Sequence, residues 1–348
     1  MTIVVYIKAG SFNTENRVLL SHGDGGEQTH ALISRLFLKY FSCKVLHRLE
    51  DAAILPNEDY QQLALTTDSY VISPRFFPGG DLGRLAVYGT VNDLAVSGAI
   101  PKYITVGMII EEGFCLNELE ALTVSIAQAA ETAGVEIAAG DTKVVERGNC
   151  DGLFINTTGL GFIRKNMSLG ADRIHPGDRV IVNGSLGEHG VTVMSGRGFF
   201  DFSGHFQSDC APLNHVIDKL FQRDIKIKYM RDLTRGGLGN ALKEVAEGAV
   251  VDIFIDEESI PVQKQVRGAA ELFGMDPLYL ANEGKFLAVV DAKDAACAVE
   301  LLQQDSSGKN AVCIGKIMSG TGQAFLRTPL GGTRILERLN GEQIPRIC

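Results

Sequence analysis

Leu82-Gly83-Arg84-Leu85-Ala86-Val87-Tyr88-Gly89-Thr90-Val91-Asn92-Asp93-Leu94-Ala95-Val96-Ser97-Gly98 reads as a helix rich in small residues. Ala86, Val87, Val91, Leu94 and Ala95 make it apolar nearly all round, so the acid Asp93 needs a partner there. Strands flank it: Leu63 to Thr67, ending at Asp68, comes before, and Tyr103 to Ile110 comes after. Asn117 followed by Glu120 is a capping-box pattern, and Leu119, Leu122, Ile126 and Ala130 lead to a stop at Gly134. Val135 to Ala139 then reads as a buried-type strand entering Gly140-Asp141-Thr142-Lys143, and Leu153 to Ile163 as further strand. Upstream, Val18 to Leu20, the loop Ser21-His22-Gly23-Asp24-Gly25-Gly26 and the stretch bearing Leu32, Ile33, Leu36 and Phe37 give strand, glycine loop, helix.

His175-Pro176-Gly177-Asp178 is a turn cluster that puts a domain boundary near 166 to 178. Beyond it come a strand from Arg179 to Asn183, helices near 212–222, 238–248, 262–273 and 293–304, and strands at 286–291 and 311–318. The fold class is α+β, in two mixed α/β domains: 16–168 and 169–336. Residues 1–15 form an extension with no assigned role, and 337–348 a tail.

The chain's 348 residues, 45% hydrophobic and 22% charged, exceed one ordinary core and are too apolar for disorder. Its 39 glycines suit a small-ligand enzyme, because backbone that approaches a ligand closely favours glycine. A net charge of -9 argues against nucleic-acid and membrane surfaces, so a polyanionic ligand would need cations. No apolar run is long enough to span a bilayer or form a signal-peptide core, which places the protein in the cytoplasm. Cys43, Cys115, Cys150, Cys210, Cys297, Cys313 and Cys348 are scattered with no CxxC, as reduced thiols would be. The histidines lack zinc-ligand spacing.

Several residues could carry chemistry. The glycine loop with Gly25 and Gly26 could turn N–H groups toward phosphate, although it lacks the P-loop pattern and also reads as a tight turn. Asp51, Asp68, Asp93 and Asp232 are hard oxygen donors suited to Mg2+, which would let an acidic protein hold ATP; each taken singly also reads as a cap. Lys143 and Glu283 sit at element ends beside glycine, positions suited to acid–base work and equally to solvent. Cys348 ends a 12-residue tail (337 to 348) that could span up to ~40 Å, so its thiol could enter a site. A CaaX lipid anchor is excluded by position.

Together the motifs Ser21 to Gly26, Thr67-Asp68-Ser69-Tyr70-Val71-Ile72, Phe76-Phe77-Pro78-Gly79-Gly80, Asn92 to Ala99, Gly140-Asp141-Thr142-Lys143-Val144-Val145, Asp232-Leu233-Thr234-Arg235-Gly236-Gly237, Asn282-Glu283-Gly284-Lys285 and Pro345-Arg346-Ile347-Cys348 resemble the HypE family. The resemblance covers roughly 16 to 348. HypE belongs to the superfamily of aminoimidazole ribonucleotide synthetase and selenophosphate synthetase. The resemblance implies two domains of that type, the N-terminal one pairing its sheet in a homodimer, with ATP between them. It implies a carbamoyl dehydratase: the carbamoyltransferase HypF loads Cys348, ATP drives dehydration to a thiocyanate, and the cyano group passes to iron on a HypC and HypD scaffold for a [NiFe] hydrogenase. By the same resemblance Asp51, Asp68, Asp93 and Asp232 match the Mg2+ and nucleotide acids, Gly25, Gly26 and Asp141 line the nucleotide, and Lys143 and Glu283 flank the thiol, either being the base. The segment Gln207 to Cys210, loosely spaced after Gly190, is expected away from the site. A selenophosphate synthetase would carry a cysteine in the glycine loop, which 21–26 lacks. A non-enzymatic carrier whose terminal cysteine docks a partner or metal would turn over no ATP.

Overall fold

The computed structural model describes residues 26–32, 34, 49, 53–55, 62–165, 167–198 and 206–339. The N-terminal half runs α1 (Glu27–Leu32), β1 (Ala53–Leu55), β2 (Leu63–Tyr70), the short hairpin β3 (Phe76–Phe77) and β4 (Gly80–Asp81), α2 (Leu82–Val96), β5 (Ala99–Glu111), α3 (Leu116–Ala133), β6 (Glu136–Val145) and β7 (Leu153–Ile163). Its main sheet has five strands in the order β1-β2-β7-β5-β6. β5 and β6 are parallel because α3 carries the chain back between them, and the other pairs are antiparallel. Strand alternation is clean: residues of β7 alternate between buried and partly or fully exposed from Leu153 to Ile163, so one sheet face is packed and the other open.

The C-terminal half runs β8 (Arg179–Val182), α4 (Glu188–Gly196), α5 (Asn214–Gln222), β9 (Ile227–Asp232), α6 (Gly237–Ala249), β10 (Val251–Asp256), α7 (Lys264–Phe273), β11 (Phe286–Val290), α8 (Ala295–Gln303), β12 (Val312–Ser319), β13 (Ala324–Arg327) and β14 (Thr333–Leu336). Seven strands pair in the order β14-β13-β10-β12-β8-β11-β9. α6 packs on one face, while α5 and α8 cover Ile181, Phe286, Ala288 and Val290 on the other.

α2 explains its own composition. Asp81 caps it, accepting the Arg84 N–H at 3.0 Å and the Ser125 hydroxyl at 2.6 Å. Leu82 to Val91 belong to the N-terminal core, whereas Ala95 and Val96 pack with α5 and α8 of the other half. A helix with neighbours on all sides has no use for a polar face. Its buried Asn92 then joins the halves: the side-chain amide donates to the carbonyls of Ala211 (3.1 Å) and Glu283 (3.4 Å), and its oxygen accepts the Leu213 N–H at 2.8 Å.

The structure departs from the sequence reading in three places. α3 starts at Leu116 with Cys115 as N-cap and no side-chain cap bond, so Asn117 lies inside the first turn and the expected capping box does not form; the Gly134 stop is present, at φ 70°. β6 is exposed from Glu136 to Val144, where a buried strand was expected, because it is the sheet's edge. β1, the β3–β4 hairpin, α4, β9, β10, β13 and β14 are additional to the elements read from sequence, and α4 and α7 pack into the same core as α2 and α3. Among the described residues no helix is long and apolar enough to cross a membrane.

Asn92→Ala would take from the buried Leu213 N–H and the Ala211 carbonyl the partner that Asn92 gives them, while the Glu283 carbonyl keeps the Ala211 N–H at 3.3 Å. Each such loss costs about 1–3 kcal/mol, so the variant is expected to lose about 2–4 kcal/mol of unfolding free energy in urea melts, and a loss below about 1 kcal/mol would show that Asn92 does not tie the halves.

Candidate active site

Three elements bring carboxylates together at the junction of the halves. Asp68 stands on the packed face of β2, near the start of α2's last turns, where Asp93 accepts a 2.7 Å hydrogen bond from Thr66 Oγ1. That bond supplies the partner Asp93 needs. Asp232 ends β9 opposite Phe286 of β11, which puts it next to the loop carrying Glu283. Asp232 and Glu283 are both buried.

The electrostatics record this crowding. Burial pushes the Glu283 carboxyl well above the usual carboxylate range, and repulsion from Asp232, Asp209 and Asp68 adds to it, with Arg235 pulling the other way. Asp68 is also raised by burial, against the Ser69 amide, Arg235 and a Tyr70 hydroxyl bond. Tyr70, buried against Thr90 of α2, is raised well above its ordinary value by burial and then by Asp68, Asp93 and Glu283. Burial and mutual repulsion therefore act together on the acids of the junction, with Arg235 as the cation that opposes them.

The loop around Glu283 is fixed along its length. Asn282 donates to the Leu233 and Leu280 carbonyls at 3.0 Å each and accepts the Gly187 N–H at 2.7 Å. Asn183 donates to the Gly284 carbonyl at 3.1 Å and accepts the Phe286 N–H at 2.7 Å. Asp209 accepts the N–H groups of both Glu283 and Gly284, at 3.1 and 3.2 Å. The expectation that Gln207 to Cys210 lies away from the site is thus overturned: the segment is part of the wall behind Glu283.

Other expected site residues stand elsewhere. Asp141 and Lys143 pair with Gly107 and Ile109 on β5, on the sheet's open face, opposite to Asp68, and both are exposed. Within one chain they do not meet the acid cluster. Gly26 is buried beside the Leu339 carbonyl, which accepts the Glu27 N–H at 3.2 Å, so the start of α1 touches the root of the tail. Leu339 is held in turn by Asn240 of α6 at 2.9 Å. Gly25, Asp51, Cys43 and Cys348 lie outside the described residues. Cys115, Cys150, Cys210, Cys297 and Cys313 are free thiols, as expected.

Among the described residues no three of His, Cys, Asp and Glu stand close enough to cage a metal by themselves. The donors present nonetheless fit magnesium, which is commonly held by one or two carboxylates together with a nucleotide's phosphates. Crowded, mutually repelling carboxylates are the environment such a cation would relieve.

Comparison with known proteins fixes the lineage. Residues 49–163 match the family described as AIR synthase related protein, N-terminal domain, and 175–326 its C-terminal domain. Carbamoyl dehydratase HypE of Rhodobacter capsulatus is 44% identical over 338 residues, covering 96% of this chain and 99% of that protein. The chain belongs to the HypE family.

The HypE fold agrees in three dimensions. A solved HypE–HypF complex aligns with TM-score 0.84 at 42% identity, covering 89% of this chain and all of that one. A HypE structure in complex with ATP aligns at 0.80 with 44% identity, covering 95% and 100%. The expected fold class, two mixed domains of the aminoimidazole ribonucleotide synthetase type, is the one present. For this HypE-family chain, sequence reading had placed Tyr70, Asn92, Arg235 and Lys285 inside quoted motifs without giving them roles. Asp209 and Asn183 carried no local signal, since their partners lie 74 to 124 residues away.

His189 of α4 borders this wall, with Nδ1 2.8 Å from Ser208 Oγ and its ring edge-on to Phe77 at 5.4 Å. Burial lowers its pKa to about 4, with Asp209 pulling it up. The unfolded chain binds this proton near pH 6.5 and the folded chain only near 4, so stability is lost as pH falls through that window. From pH 7 to pH 5 the loss through His189 is about 2 kcal/mol. Urea melts of His189→Gln should show a shallower fall over this range than the parent, and parallel curves would contradict a neutral His189.

Proposed function

We propose that this chain uses ATP to dehydrate a carbamoyl group carried on Cys348 to a thiocyanate, supplying cyanide ligands for the iron of a [NiFe] hydrogenase. It is a carbamoyl dehydratase of hydrogenase maturation. The acid cluster at the domain junction of a HypE-family chain carries this reading, because it suits a nucleotide and a cation together. The chain is proposed to act in the cytoplasm, with domains 16–168 and 169–336 enclosing ATP and with 337–348 as the moving tail.

The chemistry follows from leaving-group ability. An amide oxygen leaves poorly until it becomes a phosphate ester. The thiocarbamate oxygen takes the γ-phosphoryl group of ATP and releases ADP; phosphate then departs as the C–O bond breaks. The nitrogen gives up its protons and the nitrile remains, so carboxamide plus ATP become thiocyanate, ADP and phosphate. Asp51, Asp68, Asp93 and Asp232 are proposed to hold Mg2+, which when bound supplies charge neutralisation at the phosphates. Gly25, Gly26 and Asp141 are proposed nucleotide contacts. Glu283 is proposed to take a nitrogen proton, supported by its burial beside these acids and by Asn92, which links its backbone to α2. Closure of the junction would keep the phosphorylated intermediate from water.

HypF is proposed to load Cys348, as the solved HypE–HypF complex of a relative supports, and HypC with HypD to receive the cyano group. A homodimer across the open face of the five-stranded sheet is supported by Leu65, Ile100 and Ile109, which stand 37%, 49% and 44% exposed there. Asp141 and Lys143 share that face, so their proposed parts, Lys143's beside the thiol included, run through the dimer.

Intact mass spectrometry tests the reading. After incubation with HypF, carbamoyl phosphate and ATP, the C-terminal peptide should gain one carbamoyl group and then lose one water only when ATP is present. Asp93→Asn should load normally yet neither hydrolyse ATP nor lose water, because an amide is a poorer magnesium ligand than a carboxylate. An adduct on any other cysteine, or water lost without nucleotide, would overturn the mechanism.

A further inference from the structure

Asp209 is expensive to bury and touches nothing that reacts. Its side chain is 1% exposed, a placement a carboxylate tolerates only when paired and hydrogen-bonded. It has three partners for that purpose: the N–H groups of Glu283 and Gly284 at 3.1 and 3.2 Å, and Lys285 Nζ at 3.1 Å. Lys285 is itself nearly buried and leans on Glu188 Oε2 at 3.6 Å, and Gln263 donates to Glu188 in turn. Two consecutive amides converging on one carboxylate form an anion nest, here filled by the protein's own side chain.

The close approach is built in. A Cβ at Gly284 would collide with the backbone carbonyl of Asp209, so only glycine lets the 206–210 segment lie against the loop. Asn92 grips the Glu283 carbonyl on the other side of the same residue. The peptide units flanking the Glu283 side chain are therefore fixed by one donor from the N-terminal half and one acceptor from the 206–210 segment, which leaves the side chain little freedom to move as a unit.

We propose that Asp209, held by Lys285 and Glu188, is the positioning residue that aims Glu283 at the reacting carboxamide. The proposal rests on the reading of Glu283 as the proton acceptor. A displacement of about 1 Å at a reacting group can slow a reaction about 100-fold, and loss of the nest would free the loop by that order.

The test uses the full chain preloaded with carbamoyl by HypF, following loss of water after ATP addition in single turnover, with ATP affinity measured separately. Asp209→Asn keeps the shape but removes the charge that binds both amides and Lys285. Dehydration is expected to slow about 10- to 100-fold with ATP affinity within about twofold, and Asp209→Asn/Glu283→Gln should be no slower than Glu283→Gln alone. A general structural role would instead weaken ATP binding and multiply with the Glu283→Gln defect, and either result overturns the proposal. Full-rate dehydration by Asp209→Asn beside a slow Glu283→Gln also overturns it, with the reading of Glu283 intact. Full-rate Glu283→Gln overturns that reading and this inference with it. Should Asp209→Asn fail to fold, the same cycle with Glu188→Gln, which loosens only Lys285, decides: a slowed rate that does not multiply supports the proposal, and an unchanged or multiplying one overturns it.

Discussion

The side-chain amide of Asn92 reaches across the junction between two α+β halves and ties a helix of one to the backbone around Glu283 and Leu213 in the other. The arrangement of the site depends on that tie. It sets β2 and α2, with Asp68 and Asp93, against the end of β9 and the loop before β11, with Asp232 and Glu283. It acts together with apolar packing across the junction, since α2 also buries Ala95 and Val96 against the other half and shares its core with α4 and α7.

Having been brought together, the carboxylates behave according to their immediate neighbours rather than their residue type. Glu283 and Asp209 are close enough to repel each other, yet burial and like charge raise the first, while in the second Lys285, His189 and the Glu283 amide outweigh burial and lower it. Asp209 is thus the carboxylate held by fixed partners, two amides and Lys285, while Glu283 lies among the acids that repel it. On the proposed function, the crowding would also let a chain of net charge -9 take a nucleotide, since grouped acids would be completed by a cation together with phosphates.

Sequence periodicity served best where an element obeys one rule along its length. α2 with its all-round apolar surface, β7 with its strict alternation and the Gly134 stop of α3 were all legible. β6 misled because an apolar run such as Val135 to Ala139 looks the same whether it is covered by its own core or lies at an exposed sheet edge. β9, β10 and the β13–β14 pair are short and take their stability from strands distant in sequence. The acids of the site could be picked out because they sit among glycines in quoted motifs, but Asp209 could not: an aspartate in a loop signals a turn, and only the folded chain reveals the two amides of the Glu283 loop converging on it.

In the proposed mechanism, phosphoryl transfer to the carboxamide oxygen is the step that the site's acids, Glu283 and the tail would serve. It is tested most directly by loading Cys348 from carbamoyl phosphate labelled with 18O in the carbamoyl carbonyl, adding ATP, and measuring the isotope in the products. The label should appear in inorganic phosphate, one 18O for each thiocyanate formed. Unlabelled phosphate, with the 18O released as water, would show that ATP does not activate that oxygen and would contradict the mechanism.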